Sequence, residues 1–140
     1  MQDEGKVKQA VPFFMVSNME ASLHFYVDGL GFQRTNQWIV EGKIRWCWLE
    51  LGGASLMLQE FRAGDPRYDG TEGPLGRGVC ICFTCGDAIA LYHAVKTRGL
   101  SPKRPFVGNG SWVTSLADPD GYKLDFESPT DVPEETEYEG

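Results

Sequence analysis

The sequence repeats its own pattern at a spacing of 68 residues. Of the eight glycines between residues 1 and 70, four are followed by another glycine 68 positions later, whereas composition alone would give roughly one such pair. Three apolar positions recur in the same way. The recurring pairs are Gly5 and Gly73, Gly31 and Gly99, Gly42 and Gly110, Gly53 and Gly121, Val11 and Val79, Leu23 and Leu91, and Leu56 and Leu124. A duplication of this kind predicts two equivalent half-sheets that curve around one central site.

Hydrophobic periodicity predicts the order βαβββ in both halves, and therefore an α+β fold. In the first half, a strand in AVPFFMV precedes a helix with a capping box at Ser17 and Glu20, and strands follow around 32–40, 44–51 and 54–61. In the second half, a strand in GVCICFT precedes a helix capped by Asp87, and strands follow around 101–107, 111–117 and 122–127. Pro102 and Pro105 predict an irregular or edge strand at 101–107.

The two modules are predicted to span residues 1–60 and 78–127, with a linker rich in Gly, Pro and charge over 61–77 and an acidic tail over 128–140. The tail holds five acidic residues and no Lys or Arg, and without it the net charge changes from −7 to −2. This pattern indicates a solvated tail. The sequence has no basic cluster that would indicate nucleic-acid binding. No apolar run is long enough to span a membrane and the N-terminus lacks a signal-peptide core, so a cytoplasmic protein is expected.

The residues that most often bind metals are few. The four cysteines are Cys47, Cys80, Cys82 and Cys85. The last three lie in an apolar strand-like stretch and have no second Cys/His cluster to complete four ligands. They are predicted to be reduced, to point to opposite faces of the strand or to pack as small hydrophobes. The two histidines, His24 and His93, are expected at the surface of the helices.

The length of each hairpin turn determines which residues lie opposite each other on neighbouring strands, and opposed residues share a face of the sheet. A turn at Gly52-Gly53 places Trp48 opposite Met57, and Trp46 opposite Gln59. With a like turn at Glu41-Gly42, one face collects Ile39, Ile44, Trp46, Trp48, Glu50, Ser55, Met57 and Gln59, and the other carries Leu49, Leu56 and Leu58 toward the helices. Adding 68 gives Val107, Trp112, Thr114, Leu116, Asp125 and Glu127 in the second half. This face is interpreted as a ligand-binding wall, with core packing or a dimer contact as the alternative.

Three stretches resemble the glyoxalase/bleomycin-resistance/extradiol dioxygenase group, the vicinal oxygen chelate superfamily: VPFFMVSNMEASLHFYVDGLGF, ASLMLQEF and LADPDGYKLDFESP. The resemblance covers about residues 8–130. It implies paired βαβββ modules that form a curved, U-shaped mixed sheet around a central cavity, with the helices on the convex side. It also implies that metal-dependent relatives would have their ligands at Val11, Met57, Val79 and Asp125. Valine offers no donor and methionine only a soft thioether, so no metal and no cofactor are expected here.

The pattern therefore resembles the metal-free bleomycin-resistance branch, in which a homodimer sequesters a planar or cationic small molecule in an aromatic cleft and so confers antibiotic resistance. The predicted ligand-binding residues are Phe13, Trp46, Trp48, Met57, Gln59, Phe83, Trp112, Asp125 and Glu127. No catalytic residue is assigned.

Three alternatives stay open. One is a lyase or isomerase of the glyoxalase type, with Asp125 as a general base or a weak metal ligand. Another is a weak Mg²⁺ or Ca²⁺ site formed by oxygen atoms of Glu50, Gln59, Asp125 and Glu127. The third is a binding or sensor module whose target is another protein.

Overall fold

The computed structural model describes residues 5–62 and 74–140, and it has the predicted α+β fold of two βαβββ modules. In the first module the elements are β1 (Phe13–Val16), α1 (Met19–Leu23), a π-helical segment (His24–Gly29), β2 (Gln33–Val40), β3 (Lys43–Leu51) and β4 (Ala54–Glu60). The sheet order is β1-β4-β3-β2, with β1 parallel to β4 and the other pairs antiparallel. Most of the linker, residues 63–73, lies outside the described residues.

The second module repeats this plan with β5 (Cys80–Thr84), α2 (Ala88–Thr97), β6 (Phe106–Gly108), β7 (Ser111–Ala117) and β8 (Lys123–Pro129). Its sheet order is β5-β8-β7-β6, and β5 and β8 are the parallel pair. The strand predicted at 101–107 is short because Pro102 and Pro105 precede it and cannot donate to a ladder. Among the described residues, no helix is long and apolar enough to cross a membrane.

Local sequence explains the turns and the helix starts. Asn109 and Gly110 both have positive φ, as do Glu41 and Gly42, which is the geometry of a tight hairpin turn. The predicted capping box at Ser17 is wrong: Asn18 is the N-cap of α1, and its side chain accepts a hydrogen bond from Ala21 N. Ser17 instead donates to Asp120 in the other module.

The modules join through the helix-bearing sides of their sheets. Tyr26 donates from its hydroxyl to Asp118 Oδ2 at 2.7 Å, a contact between buried side chains. Ser17 Oγ donates to Asp120 Oδ1 at 2.6 Å, and the rings of Phe14 and Tyr122 stack at 4.0 Å. One hydrophobic core therefore includes residues of both modules, and the opposite face of each sheet, which we call its open face, lies on the outside.

The spacing between equivalent residues changes along the helices. The N-caps Asn18 and Asp87 are 69 positions apart, whereas the glycines after the helices, Gly31 and Gly99, are 68 apart. The first helix thus has one residue more than the second. The π-helical segment absorbs it, with Leu30 N donating to Phe25 O five residues back.

A second difference of one residue lies in β3. Ile39 pairs with Ile44 and Trp38 with Trp46, so two steps along β3 match one step along β2, and Arg45 is the extra residue of a β-bulge. The equivalent pairs in β6 and β7 follow each other without a shift. Trp48 therefore corresponds to Ser115, only 67 positions later.

The spacing between equivalent residues of the two modules changes back from 67 to 68 at the turn that precedes the last strand of each module. Five residues separate the paired Ala117 and Lys123, against four between the equivalent Glu50 and Ser55. Met57 and Asp125 are thus equivalent, 68 positions apart, as predicted.

The C-terminal tail is docked along the sheet, which corrects the prediction of a wholly solvated tail. Val107 N donates to Thr136 O, Tyr138 N donates to Pro105 O, and Phe106 forms an antiparallel bridge with Glu137. The carboxylate of Glu134 accepts from two backbone N–H groups of the β6–β7 turn at 2.7 and 2.9 Å. The tail therefore covers the free edge of β6, while most of its acidic side chains stay exposed.

Candidate functional site

The open face of the first sheet presents aromatic side chains in two adjacent rows. One row across the strands is Phe13, Met57 and Trp48, and the next is Met15, Gln59, Trp46 and Trp38. The predicted pairings of Trp48 with Met57 and of Trp46 with Gln59 are confirmed. Leu49, Leu56 and Leu58 are fully buried on the other face, as predicted. Phe13 is 39% exposed and Trp38 is 56% exposed, so a large apolar area faces solvent.

A carboxylate fixes one indole on this aromatic face. Glu50 Oε2 accepts a hydrogen bond from Trp48 Nε1 at 2.9 Å and another from Thr35 Oγ1 at 3.2 Å. Both donors approach the same oxygen. The second oxygen of Glu50 is therefore the one that could accept from a ligand beside the Trp48 ring.

The open face of the second sheet is acidic and carries thiols. Asp125 lies beside Cys82 and Ser115 in the register, and Ser115 Oγ donates to Asp125 Oδ1 at 2.6 Å. Burial and a hydrogen bond to Glu127 raise the pKa of Cys82 to about 11. The pKa of Cys80 is raised by burial and by Asp125. Both thiols therefore stay protonated near neutral pH, and neither is an activated nucleophile.

Two expectations about the cysteines need correction. Cys80 and Cys82 are exposed and share the open face, because they are two residues apart on one strand. Cys47 is fully buried and packs as a small hydrophobe, as predicted, and all four cysteines are free. The two histidines are at the surface, as predicted: His24 contacts Asp28, and His93 contacts the Tyr138 hydroxyl.

Four residues predicted to share a face with Asp125 lie on the opposite, helix-facing side: Val107, Trp112, Thr114 and Leu116. Thr114 is fully buried and donates to Ala88 O in α2, and Trp112 packs edge-on against Tyr138 at 5.9 Å. The error follows from the bulge in β3, since a shift of one residue moves every side chain of a strand to the other face. The same bulge turns Ile44 toward the core rather than toward Trp46.

An apolar cavity of about 890 Å³ lies elsewhere, between the β3–β4 turn and α2. Of the residues predicted to bind ligand, Phe83 lines this cavity, where it stacks on Phe126 at 4.8 Å. The structure thus divides the predicted site. Phe13, Trp46, Trp48, Met57 and Gln59 lie together on the first open face, Asp125 and Glu127 lie on the second, and Phe83 and Trp112 lie on the helix-facing sides.

The metal-ligand positions that the family resemblance implies also need one correction. Asn18 and Asp87 are equivalent, so the counterpart of Val11 is Cys80 and not Val79. The corrected positions are Val11, Met57, Cys80 and Asp125. Valine has no donor and methionine only a soft thioether, so one thiol and one carboxylate remain, which is fewer than the three protein ligands that a catalytic divalent ion usually has. Over residues 5–62 and 74–140, no group of three or more His, Cys, Asp and Glu could hold a metal.

Sequence reasoning missed several residues of the two open faces. Met15 is two residues from Phe13, and Lys123 is two residues from Asp125, so strand alternation alone could have found both. Trp38 could not be found in this way, because the bulge reverses the alternation between β2 and β3.

Comparison with known proteins agrees with this fold. A profile of the Glyoxalase/Bleomycin resistance protein/Dioxygenase superfamily matches residues 8–126. The match covers most of the chain, and the chain belongs to this superfamily. No curated protein gives a significant match.

Several solved structures are similar. TnmS3, an antibiotic binding protein from Streptomyces sp. CB03234, superposes with a TM-score of 0.65 and 22% identity, over 88% of this chain and 98% of that chain. A bleomycin resistance determinant encoded on the transposon Tn5 has a TM-score of 0.67 and 22% identity over the same shares. TioX from Micromonospora sp. ML1 has a TM-score of 0.64 and 16% identity, over 87% and 100%. At these identities the comparison establishes a shared fold.

Proposed function

We propose that this protein sequesters a flat, cationic small molecule on the open aromatic face of its first sheet, without a metal, as a cytoplasmic homodimer. The observation that carries the proposal is the pair of aromatic rows around Trp46 and Trp48. Planar ligands bind well to such surfaces, because stacking contributes about 0.5–1.5 kcal/mol per aromatic contact beyond the burial of apolar area. TnmS3 is described as an antibiotic binding protein, which supports the binding of a small molecule.

The charge of the ligand follows from the carboxylates. Glu50 borders the aromatic face and keeps one oxygen available beside Trp48. Asp125 and Glu127 lie on the other sheet, whose open face points away because the modules join through their helix-bearing sides. A second copy of the chain could place its acidic face over the aromatic face of the first. The homodimer would then close two equivalent clefts.

The remaining features of the proposal rest on side-chain chemistry. The residues at the four metal positions do not form a donor set for a hard divalent ion. Four free thiols are typical of a reducing compartment, which supports a cytoplasmic protein. Protonated thiols at Cys80 and Cys82 offer no nucleophile for a covalent mechanism, which is consistent with a binding role for this face.

Fluorescence titration tests the proposal. A planar cation, such as bleomycin or an acridine dye, is expected to quench tryptophan fluorescence in the wild-type protein. Trp48→Ala is expected to weaken binding about tenfold, and more than Asp125→Asn does, because desolvated aromatic area dominates such sites. Trp112→Phe removes the emission of an indole on the helix-facing side and isolates the signal of the open face. Unchanged fluorescence across planar cations would remove the main support for the proposal.

Mixing two variants tests whether the cleft is shared between chains. If one chain supplies Trp48 and the other Asp125, a mixture of Trp48→Ala and Asp125→Asn chains forms heterodimers in which one of the two clefts is intact. Random exchange then restores roughly a quarter of the clefts to wild-type affinity. If the cleft belongs to one chain, mixing restores none. A single 15.6 kDa species in analytical ultracentrifugation would contradict the homodimer.

A further inference from the structure

The cavity of about 890 Å³ forms a groove that is separate from the open aromatic face of the first sheet and reaches strand β5 of the second sheet, where Cys82 is part of its lining. One wall consists of Leu30 and of Leu51 at the start of the β3–β4 turn. The opposite wall is formed by α2, which includes Leu91. Phe83 and Phe126 lie at its base. The volume is within the range of pockets for small organic molecules, about 300–1,000 Å³, and such pockets are mostly apolar with few polar groups. The groove therefore has the size and lining of a ligand site.

The charge of this groove is distinctive. Among the described residues that line it, Arg98 is the one with a charged side chain. Arg98 Nη1 donates to Gly29 O at 3.1 Å, which holds the guanidinium at the groove. The guanidinium has five N–H donors, and this is its one side-chain hydrogen bond to the part of the chain that the structure describes. Burial raises the pKa of Cys85, and burial and Glu127 raise that of Cys82, so the two thiols in the lining stay neutral. An anionic group is thus favoured at one place in an otherwise uncharged groove.

We infer that the groove binds a small apolar molecule that ends in one carboxylate, with the apolar body between Leu51 and Leu91 and the carboxylate at Arg98. This ligand differs from the flat cation proposed for the aromatic face in both charge and location. The two sites share no residue, so either can be tested without the other.

A series of ligands with one chain and three head groups tests the inference. Calorimetric titration with decanoate and decyltrimethylammonium below their micelle concentrations, and with decanol below its solubility limit, is expected to rank decanoate about tenfold tighter than decanol, as a charge-assisted hydrogen bond predicts. The cation is expected to bind weakest. In Arg98→Met the advantage of decanoate over decanol is expected to disappear, and in Arg98→Lys to persist in part. Arg104→Met, which removes an exposed arginine outside the groove lining, is the matched control.

Filling the groove gives a second, independent measurement. Ala90 is exposed on α2 and lines the groove, so Ala90→Trp is expected to block decanoate binding, and Thr97→Trp outside the lining is its control. Gly53→Leu fills the groove from the opposite wall, where a Cβ would meet no atom within 4 Å. No decanoate binding, binding indifferent to Arg98, or binding unaffected by both filling variants would each overturn the inference. Loss of the dimer in either filling variant would assign the groove to a subunit contact instead, and would also overturn it.

Discussion

The two modules share one plan but differ by single residues at three places. The first module has an extra residue in its helix, absorbed by the π-helical segment His24–Gly29, and another at the Arg45 bulge. The second module has a regular helix and an unshifted hairpin, but a longer turn before β8. A π-helical segment leaves the ends of the helix in place, whereas a bulge exchanges the two faces of the strand beyond it. Insertions of equal length thus have unequal effects on which side chains reach a site.

The consequence for the open faces is direct. At equivalent positions of β3 and β7, the first module presents Trp48 and the second presents Ser115. The position of Met57 holds Asp125 in the second module. One half therefore offers aromatic area and the other offers charge, which is a division of roles rather than two copies of one site. The following predictions test this comparison, beginning with the largest effect.

The helices can be compared by deleting one residue from each. Removing the exposed Asp28 from the π-helical segment is expected to give a regular helix like α2, with a loss of less than about 2 kcal/mol in the free energy of unfolding. Removing the exposed Lys96 from α2 rotates the following residues by about 100° and displaces Leu100 from Gly29, so no cooperative transition is expected. Chemical denaturation distinguishes the two outcomes. Equal losses in both variants would show that the π-helical segment is not a tolerated insertion.

The junction between modules is expected to be the next most sensitive place. Asp118 accepts hydrogen bonds from Tyr26 Oη, Asp120 N and Tyr122 N, all of them buried. Asp118→Ala leaves these donors unpaired and is expected to cost about 2–4 kcal/mol in the free energy of unfolding. Tyr26→Phe removes one donor and is expected to cost less. Two separate unfolding transitions in Asp118→Ala would show that the modules fold independently once the junction is broken.

The same carboxyl predicts a pH dependence. Burial raises the pKa of Asp118 above its ordinary value of 3.8. The stability that this group contributes is therefore fully present below pH 3.8 and is lost as the pH rises through the raised pKa, by about 1.4 kcal/mol for each pKa unit of the shift. Asp118→Asn keeps an acceptor oxygen and cannot ionise, so its free energy of unfolding is expected to lack this decline. Parallel curves for the two proteins between pH 3 and 8 would refute the assignment.

Cysteine labelling compares the modules without changing the fold. The pKa values of Cys47 and Cys82 are both raised to about 11, that of Cys47 by burial and that of Cys82 by partial desolvation and Glu127, but Cys47 is inaccessible and Cys82 is exposed. Iodoacetamide is expected to modify Cys82 about tenfold faster for each pH unit up to its pKa, and to modify Cys47 only on unfolding. Glu127→Gln is expected to speed the labelling of Cys82 a few-fold. Mass spectrometry of the peptides measures both rates, and rapid labelling of Cys82 at pH 7 would contradict the raised pKa.

Most of the fold could be predicted from local signals. The two-residue turn at Gly52-Gly53, and alternation across β3 and β4, sufficed to place Trp48 beside Met57. These features depend on neighbouring residues and on an unbroken ladder. The helix cap at Asn18 was missed because Ser17 also fits a capping box, and only the other module, through Asp120, explains why Ser17 is engaged elsewhere.

The second half of the site could not be predicted with a constant spacing. The bulge at Arg45 has no clear sequence signal, since neither glycine nor proline marks it. Because β7 lacks this bulge, adding 68 assigned Trp112 and Thr114 to the face of Asp125, whereas they lie on the opposite face. The extra residue of the first helix had a similar effect: a constant spacing of 68 paired Val11 with Val79, whereas its counterpart is Cys80. Both shifts can be read from the strand pairing in the structure. A comparison of the sequence halves at one constant spacing cannot detect them.

The docked tail has a consequence for the behaviour of the protein in solution. An unpaired strand edge is a template for association with other chains, and β6 is the short outer strand of its sheet. Backbone groups of residues 135–138 engage that strand, while Glu135, Glu137 and Glu139 project exposed carboxylates. A chain truncated after Pro129 would keep both modules and lose this protection, so its first defect would be aggregation rather than unfolding. The exposed carboxylates of residues 135–139 are thus expected to increase colloidal stability, through like-charge repulsion at the edge where sheets would otherwise join.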